Sequence, residues 1–136
     1  MRTQKYNIGF TLVEIMIFVA VIALLALLAV PKLQHEKIVA NDSLAKSTLR
    51  AISIAAESYK KDHDESYPAN ALALVAPLAN PPYLNTDYCT NSPRILGYYY
   101  TCNFSRKGYK ITATPVVKGS TGTREETITT GSVLTP

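Results

Sequence analysis

The hydrophobic pattern of this 136-residue chain changes at Pro31. Residues 10–30 are apolar on every side of a helical projection, and Glu14 is the only ionisable side chain among them. Because an α-helix rises 1.5 Å per residue, this run would form a helix of roughly 31 Å, about the thickness of the hydrocarbon core of a bilayer. The run is too long for one strand, so the pattern predicts a membrane-spanning or fully buried helix.

After Pro31 the apolar residues recur at helical spacing on one side only, which is typical of an amphipathic helix. Proline bends a helix by removing a backbone hydrogen bond. We therefore predict one helix over residues 10–61, roughly 78 Å long, kinked at Pro31 and ending before Tyr67-Pro68. Its apolar stripe comprises Ile38, Ala45, Leu49, Ile52, Ala56 and Tyr59, and the charged residues predicted to face solvent are Lys37, Asp42, Lys46, Arg50, Glu57 and Lys60.

The C-terminal part of the chain alternates between apolar and polar residues, as half-buried strands do. Two alternating runs flank the glycine-containing residues 105–108, which predicts an antiparallel hairpin. Residues 125–130 are a weaker strand candidate, residues 69–79 a short helix or turn, and residues 80–93 a proline-bounded loop. The side chains predicted to face the core are Tyr98, Tyr100, Cys102 and Phe104 in the first run, and Tyr109, Ile111 and Ala113 in the second.

The lone carboxylate of Glu14 has two explanations. A carboxylate costs on the order of a few kcal/mol at the bilayer centre and less near a helix end, so Glu14 could stay solvated at headgroup depth. Alternatively, it has a functional partner. The preceding residues favour the second explanation, because residues 1–9 are short, polar and basic, and they end in Gly9 directly before Phe10.

The segment Gly9-Phe10-Thr11-Leu12-Val13-Glu14-Ile15-Met16 resembles the processing site of type IV prepilins and of type II secretion pseudopilins. The resemblance implies that a prepilin peptidase cuts between Gly9 and Phe10 and N-methylates the new amino terminus. It also implies that Glu14 pairs with the Phe10 amine of a neighbouring subunit. Pro31 falls where this family places its helix-kinking proline. Ala23 stands where many pilins have a glycine, which leaves local melting of the helix open.

The resemblance further implies an α+β, pilin-like fold, in which a small antiparallel sheet packs on the C-terminal half of the long helix. Residues 1–9 would be the leader, 10–30 the transmembrane or filament-core helix, 31–61 the amphipathic helix and 62–136 the C-terminal globular part. The precursor would sit in the inner membrane with a cytoplasmic N-terminus. Its implied partners are identical subunits in a helical filament, the prepilin peptidase and an inner-membrane assembly platform.

Cys89 and Cys102 are the only cysteines, and both fall in the part that would be exported. Two thiols in a small exported domain are typically paired, so we predict a disulfide. It would close a loop of about fourteen residues and stabilise the domain by about 3 kcal/mol on the chain-entropy model.

Composition and motifs argue against several other functions. Removing Arg2 and Lys5 with the leader lowers the formal charge from +4 to +2, too little to predict nucleic-acid binding, although tyrosines 98–100 leave base stacking open. The acidic residues Asp62, Asp64 and Glu65 lack EF-hand spacing, and no nucleophile and base occur at catalytic spacing, so we predict no metal, no cofactor and no enzymatic activity. An ordinary signal peptide would be cut after its apolar core, near residues 26–29, which leaves Gly9, Phe10 and Glu14 unexplained.

Three functions remain at this point. The first is a structural subunit of a type IV pilus, exported to the cell surface. The second is a pseudopilin of a type II secretion system, which would act in the periplasm. The third is a membrane-anchored binding domain that does not polymerise. The sequence lacks a clear calcium site of the major-pseudopilin kind, which favours the pilus.

Overall fold

The computed structural model describes residues 9–90 and 95–136, so residues 1–8 of the predicted leader and part of the predicted loop lie outside the described residues. The described chain contains one long helix, a single 3₁₀ turn and four strands. They are α1 (Leu12–Asp62), the 3₁₀ turn (Ala71–Leu74), β1 (Tyr98–Ser105), β2 (Gly108–Pro115), β3 (Glu126–Thr129) and β4 (Val133–Thr135). The chain divides into two compact units, Met1–His35 and Glu36–Pro136.

In the first unit, every described residue is exposed, although almost all of them are apolar. Helix α1 begins here at Leu12, two residues later than predicted, and Pro31 lies within it. The helix is long and apolar enough to cross a membrane by length and composition. The predicted kink at Pro31 stays a prediction. Lipid or other helices must cover this apolar surface, because nothing in the described chain does.

In the second unit, the four strands form one antiparallel sheet in the order β1-β2-β3-β4. Strands β1 and β2 form the predicted hairpin, in which Ser105 pairs with Gly108 across a two-residue loop. Strand β3 coincides with the weaker strand candidate, whereas β4 was not predicted. Three residues are too few to show an alternating pattern, so β4 carries no periodic signal in the sequence.

The core of the second unit lies between the sheet and the C-terminal part of α1. The predicted inward face is confirmed: Tyr98, Tyr100, Tyr109, Ile111 and Ala113 are buried, and Cys102 and Phe104 pack partly buried beside them. They meet the middle of the predicted helical stripe. The helix residues buried in this core are Ala45, Leu49, Ile52, Ala55 and Ala56.

The disulfide between Cys89 and Cys102 is present in the structure, with a Cα–Cα distance of 5.7 Å. Cys102 lies in the outer strand β1, and Cys89 lies in the loop that follows the 3₁₀ turn. The bond therefore attaches a segment with little regular secondary structure to the sheet, beside the contact of Tyr88 with Tyr100.

Of the six charged residues predicted to face solvent on α1, two are exposed (Lys37 and Arg50) and four are partly buried (Asp42, Lys46, Glu57 and Lys60). The prediction was wrong at Asp42 and Glu57, because their carboxylates accept hydrogen bonds from other parts of the second unit. Asp42 accepts hydrogen bonds from Tyr98 Oη at 2.6 Å, from the Thr123 N–H at 3.1 Å and from Thr123 Oγ1. The neighbouring Asn41 donates from Nδ2 to the Thr121 carbonyl at 2.9 Å. These bonds attach the glycine-rich loop before β3 to the helix, so the loop is more constrained than its composition predicts.

We expect acid to weaken this attachment. Burial of the Asp42 carboxyl opposes its ionisation, but hydrogen bonds from Thr123 and Tyr98 and the charge of Lys46 outweigh burial, so its pKa lies below the ordinary 3.8. Because the folded state has the lower pKa, this stabilisation is complete above the unfolded-state pKa and is lost as pH falls through the folded-state pKa. The variant Asp42→Asn should therefore melt at a lower temperature than the wild type near pH 7, by an amount equivalent to about 1 kcal/mol.

The difference in Tm between Asp42→Asn and the wild type should shrink once the pH falls below 3.8. Thermal melting of the detergent-solubilised chain, followed by near-ultraviolet circular dichroism of its tyrosines, measures this difference. Asp64→Asn, at an exposed position beyond the end of α1, is the matched control and should melt like the wild type. A Tm difference that stays constant into acid would contradict the proposed role of the Asp42 carboxylate.

Candidate functional site

The residues implicated in processing and assembly surround the N-terminal end of α1. Phe10 is 78% exposed and lies two residues before the helix, and Gly9 precedes it. A Cβ added to Gly9 would meet no described atom within 4 Å. The Gly9–Phe10 peptide bond is therefore unobstructed by the described part of the chain, as a protease substrate must be.

Thr11 is the residue that caps α1, and the sequence analysis missed it. Its Oγ1 accepts the Glu14 N–H at 3.2 Å, and its carbonyl accepts the Ile15 N–H at 3.2 Å. A threonine followed three residues later by a glutamate is the capping-box pattern. Here only the threonine half is formed, and it satisfies one backbone donor left unpaired in the first helical turn. That spacing was the signal that could have identified Thr11. The cap places Glu14 at a fixed position in the first turn.

Glu14 lies where a carboxylate has a favourable electrostatic environment, because the N-terminal end of a helix carries partial positive charge. Its carboxylate makes no hydrogen bond or ion pair with residues 9–90 or 95–136. Instead, Glu14 borders an open, apolar groove of about 470 Å³ along one side of the helix, formed with Ile17, Phe18, Val21, Ile22 and Leu25. The first turn thus presents an anion beside a surface suited to another apolar helix.

The structure brings Gly9, Phe10 and Glu14 together within about one helical turn. Pro31 lies far along the helix in the same unit, and Cys89 and Cys102 lie in the other unit. Among the described residues, no group of three or more His, Cys, Asp or Glu side chains is arranged to hold a metal ion. The first turn therefore follows an exposed peptide bond and carries a carboxylate that has no partner among the described residues.

Comparison with known proteins identifies the same segment. The family model described as "Prokaryotic N-terminal methylation motif" matches residues 4–30. The type II secretion system core protein G of Pseudomonas aeruginosa is 37% identical over 78 residues, covering 57% of this chain and 54% of that protein. The type IV wide pilus major component PilA4 of Thermus thermophilus is 37% identical over 76 residues, covering 56% and 55% respectively.

The competence protein ComGC of Halalkalibacterium halodurans is 36% identical over 69 residues, which cover 51% of this chain and 67% of that protein. The chain thus spans about half the length of some curated relatives and two thirds of another. No solved structure matches the chain significantly. The methylation motif, the exposed apolar helix and this shared identity show that the chain belongs to the type IV pilin and pseudopilin family.

Proposed function

We propose that this chain is a structural subunit of an extracellular type IV pilus-like filament. The precursor is held in the membrane by residues 10–30, a prepilin peptidase cuts it after Gly9, and the new Phe10 amine is N-methylated. The helix then leaves the lipid and packs among identical helices, while residues 62–136 contribute to the filament surface. An inner-membrane assembly platform would move the subunit from the lipid into the filament.

One observation carries this proposal: every described residue of the first unit is exposed, although this segment is almost wholly apolar. Apolar surface of this extent is stable only in lipid or against other apolar helices. A helical assembly can replace the lipid, because a contact that repeats without closing gives an open filament. In that assembly the unpaired Glu14 carboxylate needs a cation, and the Phe10 amine of an adjacent subunit is created by the cleavage itself.

The processing step gives the first test. We expect Gly9→Val to block cleavage, because a branched side chain replaces the residue that contacts the peptidase, and the protein should retain residues 1–9. Since a side chain at residue 9 meets no described atom, misfolding would not account for the loss. Intact-mass and N-terminal peptide mass spectrometry of the membrane fraction measure the outcome directly.

Ala26→Val is the matched control, since it adds similar volume to the exposed apolar helix far from the cleavage bond. It should be processed like the wild type, with a methylated Phe10 as its first residue. A wild-type chain purified with residues 1–9 still attached would contradict the proposed processing and assembly.

A pseudopilin of a type II secretion system is the second candidate. It is favoured by the similarity to a secretion core protein, at the same 37% identity as the pilus component. Both kinds of subunit would use the same helix, so the helix does not distinguish them. Their filaments differ instead in length and location. Electron microscopy of intact cells distinguishes them: long surface fibres labelled by an antibody against residues 62–136 support the pilus, and their absence in an expressing cell supports the pseudopilin.

A further inference from the structure

A pocket of about 440 Å³ lies where the loop after α1 folds back against the end of that helix. It is formed entirely within the second unit, and neither processing nor helix packing uses it. Its aromatic wall consists of Tyr59, His63 and Tyr83. The Tyr59 and His63 rings are parallel with centroids 3.8 Å apart, and Tyr83 meets Tyr59 edge-to-face at 5.6 Å.

Hydrogen bonds fix the orientation of these rings. Tyr83 Oη donates to Asp62 Oδ2 at 2.8 Å, which holds the tyrosine against the helix end. His63 Nδ1 lies 3.0 Å from the Tyr59 carbonyl. Because a carbonyl only accepts hydrogen bonds, Nδ1 carries a proton, and Nε2 is the ring nitrogen left to contact a ligand. The aromatic wall therefore combines rings held in fixed orientations with one imidazole nitrogen, Nε2 of His63.

Two carboxamides complete the polar part of the pocket. Asn70 Oδ1 accepts the Ala73 N–H at 3.1 Å as the cap of the 3₁₀ turn, so its amide group still has hydrogens to donate. The Asn80 side chain makes no hydrogen bond with residues 9–90 or 95–136 and is exposed. Among the described residues that line the pocket, none is a lysine, arginine, aspartate or glutamate.

We propose that this pocket binds an uncharged saccharide ring. The faces of a pyranose present polarised C–H bonds, which the negative face of an aromatic ring attracts, while its hydroxyl groups, which both donate and accept, pair with amides and an imidazole nitrogen. A phosphate, sulfate or carboxylate ligand would find no lysine or arginine among the described lining residues. A wholly apolar ligand would cover the Asn80 carboxamide and the amide hydrogens of Asn70 without replacing their hydrogen bonds to water, which is unfavourable. The volume suits a small ligand, since such sites span roughly 300–1,000 Å³.

Saturation-transfer-difference NMR on the full mature chain in detergent tests the proposal without requiring assembly. The probes are the methyl glycosides of glucose, galactose and N-acetylglucosamine, with tetramethylammonium and a mononucleotide as competing ligand classes. We expect saturable transfer to the ring protons of at least one glycoside. The variants Asn80→Ala and His63→Ala should each weaken its affinity by about five- to tenfold, the loss of one hydrogen bond.

Asn85→Ala is the matched control, because Asn85 is an exposed asparagine of the same loop that does not line the pocket. It should bind like the wild type, and near-ultraviolet circular dichroism should show that all three variants are folded. Three results would overturn the proposal: no saturable transfer to any glycoside, glycoside binding unchanged in both pocket variants, or tighter binding of tetramethylammonium or the mononucleotide. Failure of filament assembly would leave this result unaffected, because the assay uses the unassembled chain.

Discussion

Replacing Glu14 with leucine should abolish filament formation while leaving the protein processed and inserted in the membrane. Glu14 is the only ionisable residue between residues 10 and 30, and its carboxylate has no partner among the described residues of its own chain. In the proposed filament it meets the Phe10 amine of a neighbour inside an apolar bundle. Leucine removes the anion and leaves that amine buried and unpaired.

The expected loss of association free energy is large, because breaking a buried ion pair by removing one partner costs about 3–5 kcal/mol. At about 1.4 kcal/mol per factor of ten, the subunit equilibrium would shift by more than a hundredfold for each contact. Membrane insertion should be retained, because leucine is more favourable than glutamate within a bilayer. Glu14→Gln keeps the shape and one acceptor oxygen without the charge, so its filament yield should fall less than that of Glu14→Leu.

Glu36→Gln is the control for charge loss on the same helix, since Glu36 is exposed at the start of the second unit. It should assemble like the wild type. Filament yield is measured from the sheared cell-surface fraction, and the membrane-associated pool of cleaved subunit is quantified in parallel. Wild-type filament yield from Glu14→Leu would show that the carboxylate does not pair with the amine during assembly.

The helix and the hairpin were predictable because each has a strong periodic pattern. Residues 10–30 admit only a helix in an apolar environment, and alternation through Tyr98 and Tyr100 assigns the inward face of β1 correctly. Both patterns report local geometry that is the same whatever the rest of the chain does. The C-terminal strand β4 was not predictable, because an edge strand of three residues is defined by its partner β3 rather than by its own sequence.

The errors on α1 have a different cause. Asp42 and Glu57 were assigned to solvent because helical periodicity gives the angular position of a residue but not what folds over it. Their hydrogen-bond partners come from segments that are distant in sequence, such as Thr123 for Asp42 and Gly131 for Glu57. The pocket at the end of α1 escaped prediction for the same reason. It depends on where a proline-rich loop returns, and no short-range pattern contains that information.

The two units therefore achieve stability in different ways. The first unit has apolar surface without internal cover, so its stable state depends on what surrounds it. The second unit has its own core and satisfies its partly buried charges internally. No buried side-chain polar atom in the described residues of the chain lacks a hydrogen-bond partner. In the proposed assembly, this division would let the helix exchange lipid for neighbouring helices while the folded unit remains intact.

Glu57 is where the second unit should be most sensitive to substitution. Its Oε1 accepts hydrogen bonds from Tyr109 Oη and from the Gly131 N–H, both at 3.0 Å, and Tyr67 Oη lies 3.1–3.2 Å from its two oxygens. Tyr67 and Tyr109 are only 6% and 5% exposed. Burial, together with the hydrogen bond to Glu57, raises the pKa of Tyr67, which keeps its hydroxyl protonated as a donor.

Glu57→Ala should therefore destabilise the second unit by about 2–4 kcal/mol, because it leaves a nearly buried hydroxyl and a backbone N–H without their acceptor. For a folded unit of this size, that corresponds to a fall in Tm of roughly 10 °C or more. Tyr109 Oη retains Ser53 at 2.7 Å, so the loss falls mainly on Tyr67 and on the turn between β3 and β4. Glu57→Gln preserves one acceptor oxygen and should melt between Glu57→Ala and the wild type.

Glu65→Ala is the matched control. It distinguishes the loss of the Glu57 hydrogen bonds from a general effect of removing an acidic residue. Glu65 forms an ion pair with Lys60 at 2.8 Å, but its side chain is 75% exposed, and exposed pairs contribute little to stability. It should melt like the wild type in the same detergent, by near-ultraviolet circular dichroism. Equal melting temperatures for Glu57→Ala and Glu65→Ala would mean that the Glu57 hydrogen bonds contribute little to stability and that apolar contacts hold the core. A selective loss in Glu57→Ala would instead identify this carboxylate as what joins the helix to the last two strands.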